Sequence, residues 1–121
     1  MAEPFTSLLT DLVDGIPGSL GAAFIDNYGE AVQCHAANGD EEYMKLMGAY
    51  QGIALQTSKG VIEQLEAGTI DYYYASYENV AFLVKALEQN YFLLLALGPT
   101  ANIGRGIFRV KQAAEAFNRE I

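Results

Sequence analysis

Residues 40–67 read DEEYMKLMGAYQGIALQTSKGVIEQLEA, a stretch of 28 residues without proline in which apolar side chains recur at helical spacing. Asn38 or Asp40 can cap the start of this helix, and Gly68 is placed to end it. At about 1.5 Å per residue the helix would span roughly 42 Å. A five-stranded sheet is only roughly 24 Å wide. The helix is therefore predicted to overhang its own sheet or to lie against another protein.

The larger apolar residues of this helix predict which side it buries. Leu46 and Ile53 widen the apolar arc beyond what one sheet requires. The helical wheel groups seven others into one stripe, which we expect to face the sheet: Tyr43, Met47, Tyr50, Ala54, Val61, Ile62 and Leu65.

Small residues occupy the other side of the predicted helix. Each glycine inside a helix costs about 1 kcal/mol relative to alanine, and small residues one turn apart let a second backbone approach closely. The alternatives are that glycine is tolerated on an exposed face, or that Gly60 marks a bend. We predict a dimer interface on this side, which also includes the neighbouring apolar residue Ile53. Its residues are Gly48, Ala49, Gly52, Ile53, Gln56 and Gly60.

The sequence before the middle helix predicts one helix and a β-hairpin. Apolar residues at three- and four-residue spacing indicate a short helix over residues 4–13, which glycine and proline end at residues 14–18. Strand-like segments at residues 20–25 and 30–36 flank the turn at residues 26–29, so they are expected to pair.

The sequence after the middle helix predicts three strands and a last helix. The runs 70–77, 79–87 and 91–97 are rich in aromatic and branched residues and are expected to form an antiparallel meander. The last helix would start at a cap on Thr100 or Asn102 and end near residue 119. We therefore predict an α/β (α+β) fold in one domain, residues 1–121. It has the order α-β-β-α-β-β-β-α and helices on both faces of a five-stranded antiparallel sheet.

Four tyrosines mark the first strand of the meander, which has one natural neighbour and is therefore a predicted sheet edge. Tyr72 and Tyr74 are predicted to belong to the dimer interface, because aromatic residues suit interfaces and an apolar edge left unpaired promotes aggregation. The alternative, expected for about half of the four tyrosines Tyr72, Tyr73, Tyr74 and Tyr77, is that they pack beneath their own helices.

Composition excludes several classes of function. The net charge of −8 argues against nucleic-acid binding, which requires clustered lysine and arginine. The longest apolar run, residues 91–97, is too short to span a bilayer, and residues 1–4 lack the features of a signal peptide. Cys34 is the single cysteine, which fits a reducing compartment. A cytoplasmic protein is therefore expected.

No catalytic, cofactor or metal site is predicted. Residues 98–106 contain glycines before a helix but lack the Gly-Lys-Ser/Thr ending of a phosphate loop. Cys34 and His35 are adjacent on one strand, so their side chains point to opposite faces and are poorly placed to act as a pair. No histidine, cysteine, aspartate and glutamate set has zinc-ligand spacing.

Two segments carry a resemblance to a known family. Residues 16–30 read IPGSLGAAFIDNYGE, and residues 97–105 read LGPTANIGR. The first segment resembles the Pro-Gly turn and hairpin of the Roadblock/light-chain-seven family. The second, which follows in the same order, is similar to that family's junction between the last strand and the last helix. The resemblance implies a homodimer or heterodimer in which sheets join edge to edge and the middle helices pair. It also implies a non-enzymatic role beside Ras-like small GTPases or as a light chain or scaffold.

These observations lead to three hypotheses. The first is a non-catalytic homodimeric regulator or adaptor of a small Ras-like GTPase. The second is a nucleotide-independent scaffold or light-chain subunit that pairs with a homologous Roadblock subunit in a larger complex. The third is a small-molecule sensor with a ligand between helix and sheet. Some family regulators grip their GTPase with extensions, whereas this chain stops near its last helix, which favours binding over acceleration of GTP hydrolysis.

Overall fold

The computed structural model describes residues 3–121. Met1 and Ala2 lie outside the described residues. Both belong to residues 1–4, from which we predicted the absence of a signal peptide. The predicted order of elements is confirmed: α1 (Glu3–Asp14), β1 (Ser19–Ile25), β2 (Ala31–Ala36), α2 (Glu41–Gln64), β3 (Tyr72–Ser76), β4 (Ala81–Ala86), β5 (Phe92–Leu97) and α3 (Ile103–Glu120).

The five strands form one antiparallel sheet in the order β2-β1-β5-β4-β3. The prediction that the tyrosine-rich strand lies at an edge is therefore confirmed. β5 is buried along its whole length and lies at the centre of the sheet, because its apolar residues fill both alternating faces.

The helices lie on both faces of the sheet, as predicted. α1 and α3 cover one face, where Leu9, Leu12, Val110 and Phe117 pack on alternate residues of the central strands. α2 alone covers the other face, where Met44 and Leu55 are fully buried. One face thus has two helices and the other has one.

Side-chain caps fix the starts of α2 and α3. The Asp40 carboxylate accepts a hydrogen bond from the Tyr43 N–H (3.1 Å), and the Asn102 side-chain oxygen accepts one from the Arg105 N–H (2.9 Å). α2 ends at Gln64, three residues before the predicted end, where Glu66 adopts a positive φ of 54°. No helix within residues 3–121 is long and apolar enough to cross a membrane.

Candidate protein-interaction surface

The orientation of α2 differs from the predicted one. The helix meets its own sheet through Met44, Gly48, Gln51, Gly52 and Leu55, all of them buried. The predicted core stripe was wrong for five of its residues, whose side chains are exposed: Tyr43, Tyr50, Ala54, Val61 and Leu65. The small-residue side of the helix faces inward, and most of the large apolar side faces outward.

Close packing against the β1–β2 hairpin explains this orientation. A Cβ atom on Gly52 would lie 3.0 Å from the Cα of Gly29, and one on Gly48 would lie 3.2 Å from Cδ1 of Ile25. The glycines do admit a neighbouring backbone, but it belongs to the same chain. The assignment of Gly48 and Gly52 to a dimer interface is therefore wrong, because both are covered within the domain.

The other residues of the predicted interface have mixed surroundings. Ala49 is half-buried and Ile53 is 63% exposed. A Cβ atom on Gly60 would have no neighbouring atom within 4 Å, so the backbone of Gly60 is open on that side. Gln56 lies beside the hairpin, where its side-chain N–H donates to the Asn27 carbonyl (3.3 Å). Their place in a dimer stays a prediction.

Two hydrogen-bonded glutamines show which way the exposed apolar residues of α2 face. Gln56 points to the β1–β2 hairpin, whereas Gln51 points to β3, where its side-chain oxygen accepts from the Tyr73 hydroxyl (2.9 Å). Exposed residues on the Gln51 side form what we call the α2 flank: Tyr43, Tyr50, Ala54, Val61 and Leu65. Leu46 and Ile53 lie on the side away from the sheet, and we call them the α2 crest.

The backbone of β3 presents unpaired groups beside the α2 flank. The Tyr77 N–H donates to the Val80 carbonyl, and the strand register continues this pattern through Ala75 and Tyr73. The N–H and C=O groups of the alternate residues Tyr72, Tyr74 and Ser76 therefore point away from β4. Such an edge is a template for pairing with a further strand.

The four tyrosines of this region divide between packing and exposure. Tyr72 packs against the α1–α3 side of the core, with the Lys111 ammonium 4.6 Å from its ring centroid, and Tyr73 packs against the α2 side. Tyr74 and Tyr77 are exposed. The alternative that some tyrosines pack beneath their own helices is thus confirmed for two of them.

Burial raises the pKa of Tyr73 to about 12, with a smaller contribution from Tyr77. The raised pKa means that the folded protein holds the neutral phenol, so Tyr73 contributes stability below pH 10 that is lost as the pH rises through about 12. In a spectrophotometric titration of tyrosine ionisation, we expect one late-titrating group that Tyr73→Phe removes.

The same substitution tests the link between α2 and β3. Tyr73→Phe leaves the buried side-chain oxygen of Gln51 without its donor, which should lower the free energy of unfolding by about 1–2 kcal/mol. Tyr28→Phe is the matched control, because the Tyr28 side chain is 84% exposed in the turn between β1 and β2. Equal losses from both variants in urea denaturation would contradict the importance of this hydrogen bond.

Cys34 and His35 lie on opposite faces of the sheet, because they pair with Ala23 and Ala22, which belong to the two separate halves of the core. The Cys34 thiol lies 3.8 Å from the Glu41 carbonyl and 3.6 Å from its carboxylate. Burial raises the pKa of the Cys34 thiol, and the charge of Glu41 raises it further, so the thiol stays protonated. Residues 4–121 contain no cluster of three histidine, cysteine, aspartate or glutamate side chains that could hold a metal ion.

Two open cavities flank the ends of β3. The larger, about 540 Å³, lies at the end of α2 and is lined by both apolar and charged residues, including Lys59, Ile62 and Asp71. The hydrogen bond and charge of Lys85 lower the pKa of Asp71 there. The smaller, about 210 Å³, lies between the end of β3 and the start of α3, beside Tyr74 and Ile103.

Sequence reasoning missed Gln51 and the α2 flank. Gln51 is a polar residue on the buried side of α2, and its partner Tyr73 lies 22 residues away, so helical spacing gives no signal for it. The flank residues were found as an apolar stripe but were assigned to the core. Gly48 and Gly52 were the available signal that the opposite side packs closely.

Comparisons with solved structures show the fold. A Roadblock/LC7 domain from Streptomyces avermitilis superposes with a TM-score of 0.84 at 13% identity, over 94% of each chain. The gliding protein MglB from Thermus thermophilus gives 0.85 at 18% identity, over 97% of this chain and 87% of that one. MglC from Myxococcus xanthus gives 0.74 at 22% identity, over 98% and 99%. No family sequence model and no curated protein sequence matches the chain. The chain has the Roadblock/LC7 fold, as the resemblance implied.

Proposed function

We propose that the protein is a non-catalytic homodimeric regulator or adaptor of a small Ras-like GTPase. The observation that carries the proposal is the joint exposure of the α2 flank and of the β3 backbone edge. Tyr50 is 59% exposed and Val61 is 50% exposed on the same side of α2 that reaches β3 through Gln51. Exposed apolar surface beside a free strand edge is typical of a protein–protein interface.

A second copy of the chain satisfies both features through one two-fold axis. The outward-facing backbone groups belong to Tyr72, Tyr74 and Ser76. An antiparallel pair of β3 strands uses all three when Tyr74 lies opposite its own copy and Tyr72 lies opposite the partner's Ser76. We therefore still assign Tyr72 and Tyr74 to the proposed dimer interface. Their backbone N–H and C=O groups form the hydrogen bonds to the second copy. The α2 flanks of the two copies then face each other on one side of the joined sheet.

The α2 crest is the proposed platform for the GTPase. Leu46 and Ile53 point away from both the sheet and the flank, so the dimer leaves them open. Ile53 thus moves from the predicted dimer interface to the platform. The choice of a small GTPase as partner rests on the family resemblance and on the fold shared with MglB and MglC.

A binding experiment with defined nucleotide states tests this function. The small GTPases encoded in the same genome are loaded with GDP or with a non-hydrolysable GTP analogue and titrated with the dimer. We expect one of them to bind with a preference for one nucleotide, and Ile53→Asp to abolish that binding without changing the dimer mass. A dimer that binds none of them contradicts the GTPase role and favours the nucleotide-independent scaffold or light-chain role.

A further inference from the structure

On the sheet face opposite α2, the side chains of Tyr74 and Ser76 in β3 are exposed. Tyr74 and Ser76 lie on this face, because they pair with Leu83 and Ala81, which belong to the α1–α3 side of the core. α3 does not extend over them. A Cβ atom on Gly106 would lie 3.1 Å from both Leu83 of β4 and Leu97 of β5, so α3 sits between those two strands.

The proposed dimer turns this uncovered strip into a groove between two copies of α3. With α3 above the β4–β5 boundary, the two helices are separated by four strand spacings of about 4.8 Å, or roughly 19 Å. Packed helices lie about 8–10 Å apart, so roughly 16–20 Å between the two α3 axes leaves room for one further helix. We call this space the α3 groove, and its existence rests on the dimer under the proposed function.

The α3 groove is lined by aromatic and aliphatic side chains together with polar ones, which include Ser76 beside Tyr74 and Glu78 in each end cavity. Tyr72 and Tyr74 of each copy form the floor, and Ile103, which is 41% exposed, forms part of each wall. At each end the cavity of about 210 Å³ opens between Tyr74 and Ile103. That volume is below the usual range of about 300–1,000 Å³ for small-molecule pockets. It is better suited to a single large side chain, of the kind that anchors a protein interface.

Each wall also carries a free positive charge. The Lys111 ammonium lies over the Tyr72 ring and forms no salt bridge with any side chain in residues 4–121. The nearby Asp71 carboxylate is already bound to Lys85 at 2.6 Å. Two copies of Lys111 therefore flank the groove without a salt-bridge partner in residues 4–121, and each acts on Asp71 only at longer range.

We infer that the α3 groove binds one amphipathic α-helix of a partner protein per dimer. Its apolar face lies on the tyrosine floor and places side chains in the two end cavities, and carboxylates on its edges pair with the two Lys111 ammonium groups. The two-fold axis passes through the groove, so a single helix binds in either direction and the stoichiometry is one helix per two chains.

A pair of designed peptides tests this inference on the intact protein. Both are labelled helical peptides with leucines along one face; one has glutamates beside the leucines and the other has lysines. In fluorescence anisotropy, the glutamate peptide should saturate at one per two chains and bind more tightly than the lysine peptide. Lys111→Glu should weaken the glutamate peptide by roughly fivefold or more and strengthen the lysine peptide.

Two further variants separate the groove from general effects. Ile103→Ser should weaken both peptides, because it shortens the apolar wall and enlarges the end cavity. Lys45→Glu makes the same charge change on the exposed surface of α2, beside Glu42, and should leave both affinities unchanged. Equal responses to Lys111→Glu and Lys45→Glu would overturn the charge pairing.

The solution mass distinguishes failure of the groove from failure of the dimer. A dimer that binds neither peptide, or binds one peptide per chain, overturns the α3 groove and leaves the proposed dimer intact. A monomer overturns both. The parent protein could instead have the mass of four chains and Ile103→Ser the mass of two. That result would show that another dimer of this protein occupies the groove, and it would overturn the proposal of a partner helix.

Discussion

Tyr50→Asp is expected to convert the dimer into a folded monomer. The Tyr50 side chain is 59% exposed on the α2 flank and contributes little to the packing of its own domain. The proposed dimer buries two Tyr50 side chains, one from each copy. Removing an apolar side chain of this size from an interface costs about 1.5–3 kcal/mol, and aspartate adds the cost of burying a charge. We expect the dimer dissociation constant to rise at least about a hundredfold.

Sedimentation analysis over a range of concentrations gives the dissociation constant for this variant. Gln112→Asp is the matched control, because it adds the same charge to an exposed position on α3. The circular dichroism spectrum of Tyr50→Asp should match that of the parent chain. A variant that unfolds would mean that Tyr50 supports the domain itself, and a variant that stays fully dimeric would place the interface elsewhere.

Gly52→Leu is expected to damage the fold itself. A Cβ atom on Gly52 would lie 3.0 Å from the Gly29 Cα and 3.3 Å from the Gly29 carbonyl oxygen, both of which are backbone atoms. Gly29 adopts a positive φ of 87° in the tight turn between β1 and β2, so the turn has little freedom to move away. Overpacking of this kind costs about 3 kcal/mol, a large part of the stability of a typical domain.

Gly60→Leu is the control for Gly52→Leu. It makes the same substitution two turns later on the same helix, where no atom lies within 4 Å of the new Cβ. Because leucine favours helix more than glycine does, Gly60→Leu should raise the free energy of unfolding by nearly 1 kcal/mol. Urea denaturation at equal protein concentration compares the two variants. A well-folded Gly52→Leu monomer would contradict this expectation. It would instead support the dimer-interface role that we first predicted for Gly52 from the sequence.

The order of elements was predictable because each element carries its own local signal. Residues 91–97 carry apolar side chains on both alternating faces, which is typical of a strand covered on both faces, and β5 is indeed buried along its length. Asp40 and Asn102 were correctly chosen as candidate caps. The connection lengths made an antiparallel meander the simplest arrangement, which also placed β3 at an edge.

The orientation of α2 was not predictable from its helical wheel, because both sides of this helix can be buried. Large residues such as Tyr50 were assigned to the core on the ground of size. In the structure, the short distance to the β1–β2 hairpin selects glycine instead, and a neighbour as small as Gly29 makes that approach possible. A wheel shows which residues share a side, but the choice between two apolar sides depends on the shape of the surface opposite.

The solution mass of the purified protein tests the central claim, that the α2 flank and the β3 edge hold two copies of this chain together. One chain has a mass of 13.2 kDa. Multi-angle light scattering at micromolar concentration is predicted to give twice that mass for the parent chain and a single-chain mass for Tyr50→Asp. A single-chain mass for the parent protein at the same concentration would contradict the account.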